Sequence, residues 1–472
     1  MTQTAQTKGR LVVVSNRVAD DRPPAGGLVF ALHDCLTREG GIWIGSANTT
    51  TETPSDALTR KAGSAYDRYV FDMTEKDHAQ FYLGYSNSVL WPLCHGRTDL
   101  MVIKPGDYEG YRGVNARMAE QMVAILKPDD VIWVHDYHFL PLAHELRARG
   151  VTNRIGFFLH IPFPAGHDLT AISQWAEVLE WFAAFDLVGL QTERDVAQMI
   201  AAVRQHRDCE LLMNGRLRIG DRHVSVRAFP IGIDAQDFLD TACADGPQPQ
   251  VTLREGEQLV IGVDRLDYSK GLPQRFDGFA QYLDDRQHGE PRASLLQIAP
   301  GSREDVAAYQ DIRAELEGKS GSINGGHASL DWTPIRYISQ NVERATLAKL
   351  YRRADVGLVT PLIDGMNLVA KEFVAAQNPD DPGVLILSKL AGAAEQMTEA
   401  LLINPYDPTD IAAALKTALG MPLKERCRRH AVLAQSVFDE DVHWWTRQIL
   451  NHLYEDAPEQ SLSAILANQL GR

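Results

Sequence analysis

Short unbroken runs of apolar residues, each followed by a helix-length amphipathic stretch, recur almost from end to end of this 472-residue chain. In the first half the runs are LVVVSN (11–16), GIWIGS (41–46), DVIWVHD (130–136), RIGFFLH (154–160), DLVGLQT (186–192) and VSVRAFPIG (224–232). A strand that is apolar without alternation has both faces covered, which is the condition of a parallel sheet with crossover helices. The stretches between, such as VNARMAEQMVAIL (114–126), FLPLAHELRARG (139–150) and ISQWAEVLEWFAAF (172–185), repeat apolar residues at three and four, the spacing of a helix with one buried stripe. The pattern predicts an α/β fold of the doubly wound kind.

The rhythm loosens after Asp234, and DGPQPQ (245–250) is a polar, proline-containing turn cluster. It then restarts with QLVIGVD (258–264), ASLLQIAP (293–300), IRYISQ (335–340), DVGLVTP (355–361), GVLILS (383–388) and ALLINP (400–405), with helical stretches such as 272–283, 344–354 and 368–377 between them. Two Rossmann-like doubly wound domains are expected, 1–240 and 241–440, followed by a helix in 441–472 that packs back toward the first domain. Ligands of such domains lie outside the carboxyl ends of the strands, so the cleft between the two is the expected site.

Composition narrows the partners. A formal net charge of −15 has the wrong sign for nucleic acid or an anionic membrane surface. The five cysteines, Cys35, Cys94, Cys209, Cys243 and Cys427, are scattered and form no CxxC, as expected of reduced thiols in a cytoplasmic protein. The start is polar, without a leader-like apolar core, and no membrane-length apolar run follows. Assembly into a homo-oligomer is left open.

The residues unusual in character cluster just after the expected strands. Ser15, Asn16 and Arg17 end the first, and the loop PPAGGL (23–28) brings Gly26 and Gly27, whose backbone can approach a ligand closely. HDYH (135–138) ends another; with no third ligand in reach it is a poor zinc site, and Asp136 suits a substrate hydroxyl better. His160 opens the stiff loop HIPFP, either as a structural histidine or as a ligand contact. In the second half, VDRLDYSKG (263–271) sets Arg265 and Lys270 past a strand, beside Asp264 and Asp267. A planar fork and a movable point charge suit a diphosphate, although pairing with the adjacent aspartates is the plain alternative. Arg303, in APGSR, has the same placement. In TPLIDGMNLVAKE (360–372), Asp364 and Gly365 make a turn and a helix begins near Met366 or Asn367, so free N–H groups form an anion site. Glu372, farther along that helix, either faces the ligand or solvates the surface.

No GxGxxG follows a strand and no GxxxxGK[ST] occurs, which argues against a nicotinamide dehydrogenase and a P-loop NTPase. A DxD-like triplet occurs only as Asp439, Glu440 and Asp441, where helix capping explains it. Cations on a diphosphate, acceptors for hydroxyls and a cleft that excludes water fit glycosyl transfer from a nucleotide sugar without a metal. A glycosidase would leave the cations idle, whereas a non-catalytic sugar-phosphate sensor fits the same scaffold.

At these residues the sequence resembles the trehalose-6-phosphate synthases, retaining glycosyltransferases with two Rossmann-like domains (the GT-B fold). The resemblance runs from about Leu11 to the tail helix through SNR, GGL, VLWPLCH, HDYH, IGFFLHIPFP, FPIGI, RLDYSKG and DGMNLVAKE. It implies transfer of glucose from UDP-glucose, as substrate rather than cofactor, to glucose 6-phosphate, giving α,α-trehalose 6-phosphate and UDP. It further implies that Arg265 and Lys270 hold the donor diphosphate and Glu372 the ribose. Asp364, Gly365, Met366, Asn367 and Leu368 would bind the donor glucose, with His160 beside it and Gly26 and Gly27 closing over it. Arg17, Tyr82, Trp91 and Arg303 match the acceptor-phosphate pocket, and Trp43 and Asp136 match positions that orient the acceptor sugar. Retention would come from attack on the face that the diphosphate leaves, a phosphate oxygen taking the proton. SANTT (46–50) and Arg194 depart from the pattern on the acceptor side. No phosphatase nucleophile motif of the DxDxT type occurs, so removal of the phosphate is expected to fall to another protein. The related glucosylglycerol-phosphate synthases, with glycerol 3-phosphate as acceptor, are the nearest alternative.

Overall fold

The computed structural model describes residues 9–18, 27–47, 49–63, 65–205, 209–212, 215–247, 249–287, 290, 292–301 and 307–454. Two sheets organise the chain. The first has ten strands, β1 (Leu11–Arg17), β2 (Ile42–Ser46), β3 (Thr59–Lys61), β4 (Asp67–Phe71), β5 (Val131–His135), β6 (Arg154–Phe158), β7 (Leu187–Leu190), β8 (Cys209–Leu211), β9 (Arg216–Ile219) and β10 (Arg222–Ala228). Their spatial order is β3-β4-β2-β1-β5-β6-β7-β10-β9-β8. The second has six, β11 (Gln258–Val263), β12 (Ala293–Ile298), β13 (Ile335–Ile338), β14 (Val356–Val359), β15 (Val384–Ser388) and β16 (Leu401–Ile403), in the order β13-β12-β11-β14-β15-β16.

All twelve strands expected from continuous apolar runs are present and pair in parallel. Burial on both faces is the reason: Val12, Val13 and Val14 of β1 have no solvent exposure, and neither do Ile132, Trp133 and Val134, their partners on β5. The four strands that the reading missed are at or near the edges. Three of them, β3, β8 and β9, join through antiparallel pairs and carry exposed polar residues; β4, with the sequence DRYVF, pairs in parallel with β2.

Each sheet reverses its winding once. The chain leaves β1 toward β2 on one side and returns to β5 on the other; β11, flanked by β12 and β14, does the same. The crevices at these two reversal points are where a doubly wound sheet binds ligands.

The helix α1 (Gly27–Glu39) begins against the second unit: a Cβ on Gly27 would lie 2.3 Å from Leu368 Cδ1. The helix Ala235–Cys243 also rests on the second unit, with the rings of Phe238 and Tyr351 6.1 Å apart between centroids. The tail helix Val442–Tyr454 lies on the first sheet. Its Trp445 packs on Trp133 and Phe158, and Gly232 leaves no room for a side chain beside Asp441, whose carbonyl carbon would be 2.4 Å from an added Cβ. The chain therefore passes between the sheets twice, at about residues 230–234 and again at 440–442.

Candidate active site

On the second sheet, the ends of β11 and β14 face each other. Asp264, the nearest carboxylate in sequence to Arg265, is turned inward and taken by Arg275, whose guanidinium donates to Asp264 (2.7 Å), Gln297 (2.9 Å) and Thr360 (3.0 Å). Both partners of this ion pair are almost fully buried. One fork thereby ties together the ends of β11, β12 and β14, and burial still pushes the Asp264 carboxyl up against the pull of Arg275. Asp267 is likewise engaged, accepting from the Ser269 N–H and the Tyr309 hydroxyl at 3.0 Å each.

Arg265 is therefore left to the cleft. It is exposed and has no carboxylate partner among the described residues, and its guanidinium lies over the Trp91 ring of the first unit, 5.9 Å from the centroid. Lys270 reaches across the crevice to Asp364, Nζ to Oδ2 at 2.5 Å. The alternative, pairing of these cations with Asp264 and Asp267, is not what forms: among the described residues Arg265 has no acid partner, and Lys270 pairs with a residue 94 positions away.

Asp364 also accepts from the Asn367 side chain at 3.0 Å, and Asn367 caps the helix Leu368–Ala376 by accepting from the Ala370 N–H. The remaining N–H groups of that first turn have no intrahelical acceptor, and the helix dipole adds positive potential there. Gly365 fits because a Cβ would come within 2.3 Å of the His160 carbonyl oxygen, across the cleft. Met366 is buried beneath this turn. Glu372 lies one turn along, accepts no hydrogen bond among the described residues, and is pushed up to about 7 by burial. Such a carboxylate is poised for donors that a ligand would bring.

On the first sheet, β1, β5 and β6 deliver Arg17, Asp136 and His160. Asp136 (φ 72°) and Asn367 (φ 77°) are the only described non-glycine residues with positive φ. They stand on opposite walls of the cleft, and backbone strain of this kind collects at functional sites. Asp136 accepts from the His160 N–H at 3.3 Å. The His160 ring faces His135, Nε2 to Nδ1 at 3.1 Å, so one of the two nitrogens carries the proton. Burial holds His160 down to about 3 and His135 well below the ordinary imidazole range, so both rings are neutral at working pH.

Tyr82 and Trp91 come from a rarer element. Residues His78–Leu90 wind as a π-helix, which the N–H of Trp91 continues by donating to the Ser86 carbonyl, five residues back. An i→i+5 turn holds about 4.4 residues, so residues nine apart lie within roughly 20° of one another, whereas in an α-helix they lie about 180° apart. This winding puts Tyr82 and Trp91 on one face. The Trp91 ring lies tilted against that of His95, centroids 4.2 Å apart, and His95 Nδ1 binds the Trp91 carbonyl oxygen at 2.7 Å. Tyr82 stacks with both His78 and His138, with Arg17 Cζ 5.7 Å from its ring centroid. Arg17, Tyr82, His78, Glu75, Thr49 and Thr50 are among the residues lining a cavity of about 630 Å³ at the ends of β1 and β2.

Trp43 is fully buried, with its indole N–H donating to Ser15 Oγ at 2.8 Å, so it supports the end of β1. Gly26 and Arg303 lie outside the described residues. The histidines of HDYH diverge, His135 toward His160 and His138 toward Tyr82. Arg275 and His78 were not singled out in the sequence. Arg275 sits in a helix whose pattern marks it as polar and outward, and only its buried partners reveal its role.

The profile described as Glycosyltransferase family 20 matches residues 5–455. A trehalose-6-phosphate synthase from Klebsiella pneumoniae is 43% identical over 464 residues, covering 97% of each chain. Among solved structures, one from E. coli bound with UDP-2-fluoro glucose is 42% identical, with a TM-score of 0.90, covering 96% of this chain and 100% of that one. An α,α-trehalose-phosphate synthase (UDP-forming) from Burkholderia xenovorans in complex with glucose-6-phosphate is also 42% identical, with a TM-score of 0.87 and coverage of 95% and 100%.

Proposed function

The chain belongs to glycosyltransferase family 20, and from that premise we propose which side chains of the cleft carry its reaction. The protein moves glucose from UDP-glucose to glucose 6-phosphate, releasing UDP and forming α,α-trehalose 6-phosphate. The observation that carries the assignment of roles is Arg265 standing over Trp91, a cation of one unit against an aromatic wall of the other, at 5.9 Å. A donor held by the first group and an acceptor held beside the second would meet there.

In this reading Arg265 and Lys270 hold the donor diphosphate. The glucose lies against Asp364 and the turn Gly365, Met366, Asn367 and Leu368, with neutral His160 as a hydrogen-bonding partner, and Glu372 accepts from the ribose hydroxyls. Gly26 and Gly27 lie over the donor. Arg17 and Tyr82, which line the 630 Å³ cavity, bind the acceptor phosphate with Trp91, a role that the resemblance gives to Arg303 as well, and Asp136 orients the acceptor sugar. The first unit, residues 1–240, holds the acceptor; the second, residues 241–440, holds the donor; and the tail helix returns to the first.

The bond from the anomeric carbon to the diphosphate oxygen breaks as the acceptor hydroxyl approaches on the same face, and that proton passes to a phosphate oxygen. Negative charge grows on the leaving diphosphate during this step. Arg265 and Lys270 therefore bind the transition state more strongly than the resting donor. Asp364 serves both ends of the arrangement, since it fixes Lys270 and borders the glucose.

An acceptor screen with product identification by NMR tests the assignment. Glucose 6-phosphate is expected to give a 1,1-linked disaccharide phosphate with both anomeric centres α. Turnover with glycerol 3-phosphate in its place, or donor binding without any transfer, would overturn it.

A further inference from the structure

We propose that His78 is a further acceptor-recognition residue: its imidazole, on the wall shared with Arg17 and Tyr82, donates an N–H to the acceptor phosphate and binds it more tightly once protonated. This rests on the assignment of that cavity to glucose 6-phosphate. His78 lines the cavity and stacks on Tyr82, ring centroids 5.1 Å apart and 27° between planes. Arg17 approaches the same Tyr82 ring at 5.7 Å. A guanidinium, a phenol and an imidazole thus border one concave space, which is the donor set of an anion site.

His78 opens the π-helix His78–Leu90 and lies four residues before Tyr82, close to one turn back along the same face. Among the described residues, Glu75, Asp77 and His138 are charged and titratable groups near His78 besides Arg17 and Tyr82. Glu75 lines the same cavity and offsets the charge that Arg17 and a protonated His78 would bring together. Asp77 is held by Arg117 at 2.8 Å, and His138 also stacks on Tyr82, ring centroids 5.8 Å apart.

A His78 that only supports the wall around Tyr82 would, when lost, be felt equally at every pH. Steady-state kinetics of the full chain with wild type, His78→Gln and His78→Leu separate the two roles. Glucose 6-phosphate is varied at saturating UDP-glucose near pH 6 and near pH 8, values that bracket the usual histidine range. The substrate phosphate also titrates there, but identically for every variant, so the ratio of variant to wild-type KM isolates the imidazole. Both variants are expected to raise the acceptor KM about ten-fold near pH 6 and about two-fold near pH 8, with the UDP-glucose KM unchanged as the check on folding. An unchanged acceptor KM, or a ratio that is the same at both pH values, overturns the inference. Arg17→Ala distinguishes the two levels of failure. If it raises the acceptor KM while the His78 variants do not, the cavity assignment stands and only the role of His78 falls; if it too has no effect, the cavity assignment falls with it.

Discussion

Replacing Gly365 by alanine puts one methyl group between the two units. The added Cβ would lie 2.3 Å from the His160 carbonyl oxygen and 3.1 Å from both the His160 carbonyl carbon and Ile161 Cα, where ordinary contact is 3.4–4 Å. All three atoms are backbone, so no side chain can swing aside. The cleft has to open by about 1.1 Å at the point where Asp364 and His160 would meet the donor glucose. A misplacement of about 1 Å costs about 10²-fold in rate. Gly365→Ala is therefore expected to lower kcat/KM by about 100-fold. Gly113→Ala is the control: a Cβ there meets nothing within 4 Å, and alanine in place of glycine within a helix should be neutral or stabilising by up to about 1 kcal/mol. Steady-state kinetics and thermal unfolding of both variants decide the matter. A Gly365→Ala enzyme within about three-fold of wild type would refute the steric argument.

Two further outcomes follow from buried charges. Arg275→Leu leaves Asp264 buried without its partner and is expected to cost about 3–5 kcal/mol in urea unfolding; adding Asp264→Asn should recover part of it, and a loss below about 1 kcal/mol would contradict the tie between the strand ends. Glu372 titrates at about 7, and ribose hydroxyls donate to its ionised form. Below that pH a proton has to leave before the donor binds, so the UDP-glucose KM should rise as pH falls, by at most about ten-fold per unit; Glu372→Gln should flatten the profile, and a flat wild-type profile would remove Glu372 from the ribose.

The parallel strands were legible because burial on both faces writes itself directly into the sequence, as in LVVV and VIWV. Strands β3, β8 and β9 were not, since short edge strands with exposed polar residues leave no such mark. Placing Arg265, Lys270 and Asp364 just past strands was enough to gather them. Their pairing was not readable, because Lys270 and Asp364 are 94 residues apart and Asp264 finds its partner on a helix that looked amphipathic. Tyr82 and Trp91 show the same limit more sharply. Nine residues apart, they fall on opposite faces under any α-helical reading, and only the π winding brings them together.

The central claim is that Arg265 serves the departing diphosphate more than the resting donor. Arg265→Ala, measured for kcat with both substrates and for UDP-glucose Kd by calorimetry, tests it most directly. The account predicts a fall in kcat of about 10²–10³-fold with Kd changed by less than about ten-fold. A kcat near that of wild type, or a loss that appears entirely in Kd, would contradict it.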